Sequence, residues 1–357
     1  MRVLALSRYG PQGASSRLRI HQFNASLRAC GIDLETAPLV TDEMLLHRYS
    51  QGTYSKSGLV TRYALRILRL LRAQSFDALL IEAEAVPWCP LWIEALLLAG
   101  RRIVVDYDDA VFHRYDMHAS RAVRLALGTK IGGVMRKADL VLAGNGYIAT
   151  HAVRSGARRV EVLPTVVDLS RYPPPLIRRP SSDQPVRVVW IGQPTNFYYL
   201  SALMSAIRAV SARRPITLRV IGASLPPIQG VDIEYSPWSE DTEVQLLSQS
   251  DIGIMPLPDT PWARGKCGYK LIQYMACGLP VLASPVGVNR EIVLDGVNGF
   301  CCHDDSDWVE RLDLLACDAA LRQQLGAAGR ALVEEQFSID KVALRFAALL
   351  KSVVACH

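Results

Sequence analysis

Residues 262–293 read WARGKCGYKLIQYMACGLPVLASPVGVNREIV, and they indicate the fold class of the chain. The apolar spacing from Tyr269 onward predicts a helix. Gly278 and Pro280 end it, because glycine favours a helix C-terminus and proline cannot continue the helix. Residues 281–283 form a short apolar run, which is typical of a buried parallel strand. A helix followed at once by such a strand indicates an α/β domain.

The start of this helix carries three cations, Arg264, Lys266 and Lys270. The N–H groups at a helix start attract anions, and neighbouring cations strengthen that attraction. Lys266, Lys270 and Gln273 would share one helical face if the helix extended that far back. The pattern predicts an anion site, although a core helix with a solvated Lys/Gln face explains it equally well.

The same alternation of strands and helices runs along the whole chain. The residues 172–185, YPPPLIRRPSSDQP, interrupt it and are typical of a linker. We therefore predict two Rossmann-like domains that face each other across a cleft, at residues 1–171 and 186–338. The predicted strands are 2–6, 78–82, 103–107, 140–143 and 160–164, then 187–191, 217–221, 232–235, 252–255, 281–283 and 299–302.

Composition narrows the functional classes. Among 357 residues, 40 Lys and Arg against 34 Asp and Glu give a net charge of +6, which favours anionic partners. The eight cysteines are scattered and form no C-x-x-C pair, which favours a reducing cytosol. Apolar stretches are too short to span a bilayer, and no signal peptide opens the chain. We expect a cytoplasmic protein, with at most peripheral contact at the inner face of the cell membrane.

Acidic and amide side chains gather where predicted strands of the first domain end. Asp108 and Asp109 follow residues 103–107, Glu84 follows 78–82, and Asn145 follows 140–143. Ligands of open α/β sheets bind at such carboxyl ends. Asp108 and Asp109 are the predicted catalytic pair, which orients a hydroxyl or accepts its proton. Helix capping is the open alternative for Asp109 and Asn145.

Two further features of the first domain complete the candidates. Gly13 and Arg17 follow the first strand, where a ligand-binding turn and an ordinary tight turn are both open. Asp106 and Asp108 form a D-x-D, but Asp106 should point away from its strand neighbours, so we predict no metal site.

A basic stripe marks residues 62–72, RYALRILRLLR. Arg62, Arg66, Arg69 and Arg72 lie on one side of a predicted helix, with leucines opposite. This pattern suits an anionic membrane surface, and a core-packed helix with a solvated arginine face is the alternative. No basic stretch interleaved with aromatic residues appears, so nucleic acid is not an expected partner.

The run YMACGLPVLASPVGVNREIV, then DGVNGF, resembles the signature of the GT-B-fold retaining glycosyltransferases of family 4. VVWIG at 188–192, SDIGIMPL at 250–257 and LRQQLGAAGRALVEEQFS extend the resemblance over the C-terminal half. It implies that the helix carries the ribose and diphosphate of a nucleotide sugar, and that a final helix within 339–357 crosses back to the first domain. The donor residues it implies are Gly192, Gln193, Arg264, Lys266, Gly268, Tyr269, Lys270 and Gln273.

The chain departs from the family pattern at three places. Gly265 and Gln273 stand where the family usually has two glutamates. Gln193 stands where an arginine is usual, and the lysine that usually follows is missing. The resemblance then leaves the diphosphate to Arg264, Lys266 and Lys270, which can make charge-assisted contacts.

The resemblance implies a retaining hexosyltransferase that uses a nucleotide-sugar donor, a glycan or lipid-linked acceptor and no cofactor. Acceptor-side residues would be Gly13, Arg17, Glu84 and Asn145. Surface polysaccharide or glycoconjugate synthesis of the bacterial type is the expected setting. A nucleotide-sugar epimerase of the same fold, or a non-catalytic scaffold whose donor pocket has decayed, are the alternatives.

Overall fold

The computed structural model describes residues 1–174, 184–224 and 228–355, and these residues form two compact units. The first unit contains Met1–Thr165, Arg264–Cys267 and Ile339–His357, and the second contains Val166–Ala263 and Gly268–Ser338. The division falls between Thr165 and Val166, whereas the sequence placed it after residue 171. The predicted linker stays a prediction, because residues 175–183 lie outside the described residues.

The first unit is built on a six-stranded parallel sheet in the order β2-β1-β3-β4-β5-β6. Its central strands are apolar on both faces, since helices cover both sides of such a sheet. The strands are β1 (Arg2–Leu6), β2 (Asp33–Thr36), β3 (Ala78–Glu82), β4 (Ile103–Tyr107), β5 (Leu140–Ala143) and β6 (Val160–Val162).

Within residues 1–165, all of which the structure describes, nine α-helices precede the second unit. In chain order they are α1 (Ala14–Arg19), α2 (Asn24–Ala29), α3 (Asp42–Gln51), α4 (Lys56–Leu71), α5 (Leu91–Leu97), α6 (His113–Asp116), α7 (Arg121–Leu127), α8 (Lys130–Lys137) and α9 (Gly146–Arg154). Parallel pairing aligns the strand ends: Glu82 of β3 pairs with Asp106 of β4, and Tyr107 pairs with Ala143 of β5. The residues that follow these strands therefore lie along one edge of the sheet.

The second unit repeats the architecture with a parallel sheet in the order β12-β11-β10-β7-β8-β9. Its strands are β7 (Val186–Ile191), β8 (Ile216–Ile221), β9 (Asp232–Ser236), β10 (Ile252–Met255), β11 (Val281–Ala283) and β12 (Gly299–Cys301). Its helices are α10 (Phe197–Ser201), α11 (Met204–Ser211), α12 (Glu243–Ser248), α13 (Pro261–Arg264), α14 (Tyr269–Ala276), α15 (Asn289–Ile292), α16 (Asp305–Cys317) and α17 (Ala319–Gln336); the last residue of α13 belongs to the first unit. Buried side chains from both faces of this sheet form its core.

The final helix, α18 (Ile339–Ala355), is part of the first unit. Its Phe346 ring meets Phe23 edge-on at 5.1 Å. Arg102 donates to the Val354 carbonyl, and Arg159 donates to the Ser352 hydroxyl at 2.8 Å. An apolar contact and two polar contacts thus fix α18 on the segment Met1–Thr165, which ends more than 170 residues earlier in the chain.

The predicted strands agree with the sheets, but β2 and α3 were missed and several helices are interrupted. The sequence predicts one helix over residues 16–30 and another over 121–136. In the first range, α1 and α2 are separated by a 3₁₀ turn at His21–Phe23. Residues 121–136 likewise divide into α7 and α8. In β2, Asp33 is exposed and only Leu34 is buried, so this edge strand lacks the continuous apolar run that revealed the others.

Three arginines of the basic stripe on α4 are engaged within the first unit, and contact of the stripe with a membrane stays a prediction. Arg66 is buried and donates to the carbonyls of Ser7, Ala37 and Ala85. Arg62 donates to the Pro38 and Leu39 carbonyls, and Arg69 pairs with Glu35. Arg72 is exposed, and so are Leu65, Leu68 and Leu71. The guanidinium groups of Arg62 and Arg66 thus donate to backbone carbonyls of the first unit, whereas the leucines of α4 named above are exposed to solvent.

Among the described residues, no helix is both long and apolar enough to cross a membrane.

Candidate functional site

The predicted catalytic pair lies at the carboxyl edge of the first unit's sheet. Asp108 and Asp109 follow β4 directly, and both are partly exposed. The Val111 N–H donates to the Asp109 carbonyl at 2.8 Å, which turns the chain sharply after the strand. The thiol of Cys267 donates to the Asp108 carbonyl at 2.6 Å. The backbone of the pair is therefore held while both carboxylates remain accessible.

Asn145 anchors the segment Arg264–Cys267 to this edge. Its amide nitrogen donates to the Gly265 carbonyl at 2.8 Å and to the Lys266 carbonyl at 3.0 Å. Its amide oxygen accepts from the Ile148 N–H and so caps α9. The Lys266 ammonium lies 4.0 Å from a carboxylate oxygen of Asp109. Asn145 thus caps α9 and also holds the segment Arg264–Cys267. The helix-capping interpretation is confirmed, and the acceptor-side role of Asn145 stays a prediction.

Close packing explains why Gly265 replaces the glutamate that the family pattern favours. A Cβ added at Gly265 would lie 2.3 Å from the Ala110 Cβ and 2.6 Å from its nitrogen. Gly144 is equally confined, because its Cβ would lie 2.2 Å from the Cys267 sulfur. Any side chain at position 265 would separate the segment from the strand ends.

Glu82, at the end of β3, is a functional candidate that the sequence reasoning did not select. One carboxylate oxygen accepts from the Ser16 hydroxyl at 2.5 Å and from the Arg8 N–H at 2.8 Å. Burial raises the pKa of Glu82 to about 7, and the nearby Asp108 charge adds to this effect. The carboxyl therefore ties down the turn after β1 and titrates close to neutral pH.

Glu84 lies inside the unit, which corrects its predicted place on an accessible rim. It is 4% exposed, and its carboxylate accepts from the Lys130 ammonium at 2.5 Å and from the Tyr115 hydroxyl at 2.9 Å. Lys130 also pairs with buried Glu94 at 3.0 Å. Ala83, between the two glutamates, has a φ of 62° and reverses the chain so that Glu82 and Glu84 point into different surroundings. Glu84 holds a buried ionic network together.

The turn after β1 contains the other two acceptor-side candidates. Gly13 precedes α1, and a Cβ there would lie 2.2 Å from the Tyr9 Cβ, so the turn requires glycine. Arg17 is 8% exposed and donates to the Pro11 carbonyl at 3.2 Å. The Tyr9 N–H donates to the Ser16 hydroxyl at 2.9 Å. The structure thus brings Gly13 close to Glu82 but engages Arg17 within the turn.

Asp106 has a structural partner. Its two carboxylate oxygens accept from Arg19 at 2.6 and 2.9 Å, and both side chains are buried. Arg19 also donates to the Leu163 carbonyl and the Thr165 hydroxyl. The Asp106 carboxylate is therefore engaged in a buried ion pair with Arg19. Within the described residues, no group of three or more His, Cys, Asp or Glu side chains could hold a metal ion.

In the second unit, α14 begins at Tyr269, and Gly268 precedes it with a φ of 67°. Gly268 has no side chain that could cap this helix start, and a Cβ at this position would lie 2.4 Å from Ile292. Lys266 thus precedes the helix and belongs with Arg264 to the first unit, so the single helical face predicted for Lys266, Lys270 and Gln273 is wrong. The backbone N–H groups at the helix start remain suited to an anion.

Lys270 and Gly192 both lie close to the ring of Trp190. The Lys270 ammonium lies over the Trp190 ring, 6.0 Å from its centroid, and a Cβ at Gly192 would lie 2.5 Å from the same ring. Gly222, with a φ of 84°, approaches the Gly192 carbonyl. Gln193 follows and is exposed. The ends of β7 and β8 and the first turn of α14 therefore converge, with a cation beside a glycine turn.

Gln273 is not available on this surface, which corrects its predicted contact with a ribose. Its side chain is 3% exposed, and its amide donates to the Tyr172 hydroxyl at 3.1 Å. It lies inside the second unit because α14 is buried along most of its length.

Trp238 lies just after β9, and its indole N–H donates to Glu243 at 2.8 Å.

Part of the chain is similar to known glycosyltransferases. Residues 185–318 match the family model described as Glycosyl transferases group 1. The D-inositol 3-phosphate glycosyltransferase of Mycolicibacterium vanbaalenii is 28% identical over 229 residues, which are 62% of this chain and 49% of that protein. The chain therefore spans about half the length of that curated relative.

Solved structures resemble the chain along its whole length. Sucrose-phosphate synthase from Thermosynechococcus elongatus gives a TM-score of 0.69 at 16% identity, covering 100% of this chain and 99% of its own. Anabaena HepE, solved in complex with UDP-glucose, gives 0.70 at 16% identity, covering 99% and 100%. These likenesses confirm the GT-B fold class.

Proposed function

We propose that the protein is a member of the Glycosyl transferases group 1 family, whose model matches residues 185–318, and that it transfers a sugar from a nucleotide sugar to an acceptor. The observation that carries the proposal is the coincidence of the family match with the edge formed by Gly192, Trp190 and Lys270. A cation beside a glycine turn and a helix start is an arrangement that binds a diphosphate.

On the donor side, we assign the diphosphate to Lys270 and to the backbone at Gly268 and Tyr269. As the glycosidic bond breaks, negative charge develops on the departing diphosphate, and a fixed cation and helix start stabilise it. HepE was solved with UDP-glucose, which supports a nucleotide sugar as the donor. Gln193, Arg264 and Lys266 remain predicted donor residues, with Arg264 and Lys266 in the first unit.

On the acceptor side, we assign Asp108 and Asp109 to the hydroxyl that receives the sugar. Both carboxylates follow a buried strand, and hydrogen bonds to Cys267 and Val111 fix their backbone. A carboxylate in this position orients the hydroxyl or accepts its proton. Holding the hydroxyl against the anomeric carbon supplies much of the acceleration in such a reaction. Retention of anomeric configuration rests on the resemblance, and no nucleophile is assigned.

The acceptor, we propose, is a glycan or a lipid-linked sugar in glycoconjugate or surface polysaccharide synthesis. The reaction then takes place in the cytoplasm, at the inner face of the membrane when the acceptor is lipid-linked. The predicted absence of a metal requirement is part of the proposal, because Lys270 and the helix start would replace a cation at the diphosphate.

The test is a thermal-shift panel of UDP, GDP, ADP and TDP, each with and without Mg²⁺. A ligand that binds the native state raises the melting temperature. We expect one nucleotide to stabilise the protein more than the others, independently of Mg²⁺. The matching nucleotide sugars are then assayed for release of nucleoside diphosphate with and without acceptor extracts. Turnover of the donor sugar without an acceptor would indicate an epimerase, and no nucleotide binding would indicate a scaffold.

A further inference from the structure

Three pairs of adjacent basic residues each stand just before a strand of the first unit. Arg101 and Arg102 precede β4, Arg136 and Lys137 precede β5 by two residues, and Arg158 and Arg159 precede β6; these six residues are called the basic pairs here. Because β4, β5 and β6 are parallel neighbours, their amino ends lie at one edge of the sheet. This edge is opposite to the edge that carries Asp108.

The basic pairs divide by role. Arg102 and Arg159 bind α18, as described above. Arg101, Arg136, Lys137 and Arg158 line an open concavity of about 420 Å³ between α5 and the strand ends. Among the described residues, none of these four side chains has an ion-pair partner. Four cations that face one cavity repel each other, so an anion in that cavity stabilises them.

The cavity has an apolar wall and one compensated acid. Leu91, Leu98 and Val134 form part of the wall. Glu94 is the one carboxylate among the described residues that line it, and its oxygens accept from the Ala85 N–H at 2.6 Å and pair with Lys130 at 3.0 Å. The cation that pairs with Glu94 is therefore Lys130, inside the unit, and Glu94 shares it with Glu84.

The helix that walls the cavity also presents two large apolar side chains to solvent. Trp92 is 70% exposed and Leu96 is 72% exposed. They lie one turn apart on α5, and the cavity-lining residue Ala95 is their neighbour on the helix, three residues after Trp92 and next to Leu96 in the chain. Exposing such side chains to water is unfavourable, and tryptophan favours the boundary between lipid headgroups and acyl chains.

We propose that this cavity binds the phosphate-bearing headgroup of an anionic membrane lipid, while Trp92 and Leu96 enter the interfacial layer. The cations of the cavity and the exposed Trp92 and Leu96 of α5 together fit an amphipathic ligand. A soluble anion without an apolar part would leave Trp92 and Leu96 without a contact. Docking through the amino edge of the sheet leaves the carboxyl edge open. The inference goes beyond the proposed reaction and does not depend on it.

The experiment is flotation of the full chain with vesicles of phosphatidylcholine alone or of an equal mixture of phosphatidylcholine and phosphatidylglycerol. We expect flotation with the anionic vesicles only. The double substitution Arg136→Gln and Arg158→Gln should lower the partition coefficient about 25-fold, roughly fivefold for each cation. Its control, Arg28→Gln with Arg213→Gln, removes the same charge from exposed positions outside the cavity and should leave binding within about twofold.

A second arm tests the apolar pair. Leu96→Ser should weaken flotation, whereas Leu344→Ser, which removes a leucine of similar exposure from α18, should not. Circular dichroism checks that each variant folds. Equal flotation with neutral vesicles, or equal loss in the control variants, would overturn the proposal. So would binding to a soluble polyanion such as heparin without any binding to vesicles.

Discussion

The amide nitrogen of Asn145 lies 2.8 Å from the carbonyl oxygen of Gly265, although 120 residues separate them in the chain. The same nitrogen donates to the Lys266 carbonyl, and the amide oxygen caps α9. One side chain thus satisfies three backbone groups at the carboxyl edge of the first unit's sheet.

Asn145→Asp separates the clamp from the cap. Aspartate caps a helix as well as asparagine does, but it cannot donate and would face two carbonyl oxygens. We expect the free energy of unfolding to fall by about 2–4 kcal/mol, measured by urea denaturation. Asp304→Asn, the reverse exchange at the cap of α16, should change it by less than about 0.5 kcal/mol. Equal effects at the two caps would show that the donated bonds contribute nothing.

Gly265→Ala tests the close packing against Ala110. The added methyl has no room, so we expect a loss of about 1–3 kcal/mol in the free energy of unfolding. Gly58→Ala is the matched control, because its Cβ would meet only ordinary contacts at 3.6 Å in a helix. That control should stabilise the protein by up to about 1 kcal/mol. A neutral Gly265→Ala would mean that the segment yields readily, and that glycine is not required there.

Some features of the fold and of the candidate site were predictable from the sequence, and others were not. Apolar runs located the buried strands, and the placement of Asp108, Asp109 and Asn145 after strands put them at one edge. Which side chain turns inward was not predictable, because it depends on distant carbonyls and charges. Arg66 donates to three carbonyls, and Glu84 accepts from Lys130. The local spacing of residues does not predict any of these partners.

Glu82 is another residue whose surroundings could not be predicted from the sequence. Glu82 and Glu84 look alike in sequence, and only the left-handed backbone at Ala83 directs one toward Ser16 and the other toward Lys130. A strand that ends in two acids separated by one residue is the signal that could have raised Glu82 as a candidate. Gln273 was misplaced because the residue that buries its amide, Tyr172, comes from a segment that the sequence pattern marked as linker.

Glu82→Gln tests the titration of that carboxyl. Its folded-state pKa of about 7 lies above the ordinary value of 4.5, so the fold favours the protonated form. The contribution of the carboxyl to stability is complete below about pH 4.5 and is lost as pH rises through 7. Relative to the glutamine variant, the free energy of unfolding of the wild type should fall by about 3 kcal/mol between about pH 4.5 and 8.

The measurement is urea denaturation of both proteins at a series of pH values. The difference between the two curves isolates Glu82 from other titrating groups, since those are common to both. A difference that does not vary with pH would place the pKa of Glu82 outside this range.

Lys270→Ala tests the donor assignment. Loss of one charge-assisted contact should weaken binding of the preferred nucleoside diphosphate by about 1.5–3 kcal/mol, or roughly 10- to 150-fold. Isothermal titration calorimetry gives the affinity, and Lys341→Ala, an exposed lysine on α18, serves as the control. Unchanged affinity in the Lys270 variant would remove Lys270 from the donor site.

Asp108→Asn tests the acceptor assignment. We expect the affinity for the nucleoside diphosphate to stay within about threefold while the rate of sugar transfer falls by about 10²- to 10⁴-fold, because the amide cannot accept a proton. Asp340→Asn, at an exposed position on α18, should keep full activity. A fully active Asp108 variant would make this residue structural.

The position of α18 at the end of the chain affects how the first unit folds during synthesis. The second unit lies between Thr165 and α18 in the chain, so a ribosome delivers nearly all of it before the helix that completes the first unit. At ordinary synthesis rates, roughly 10 to 35 s pass between residue 165 and residue 339. During that interval Phe23 lacks Phe346, and an apolar surface of the first unit waits uncovered, so a nascent chain paused there is a natural client for chaperones.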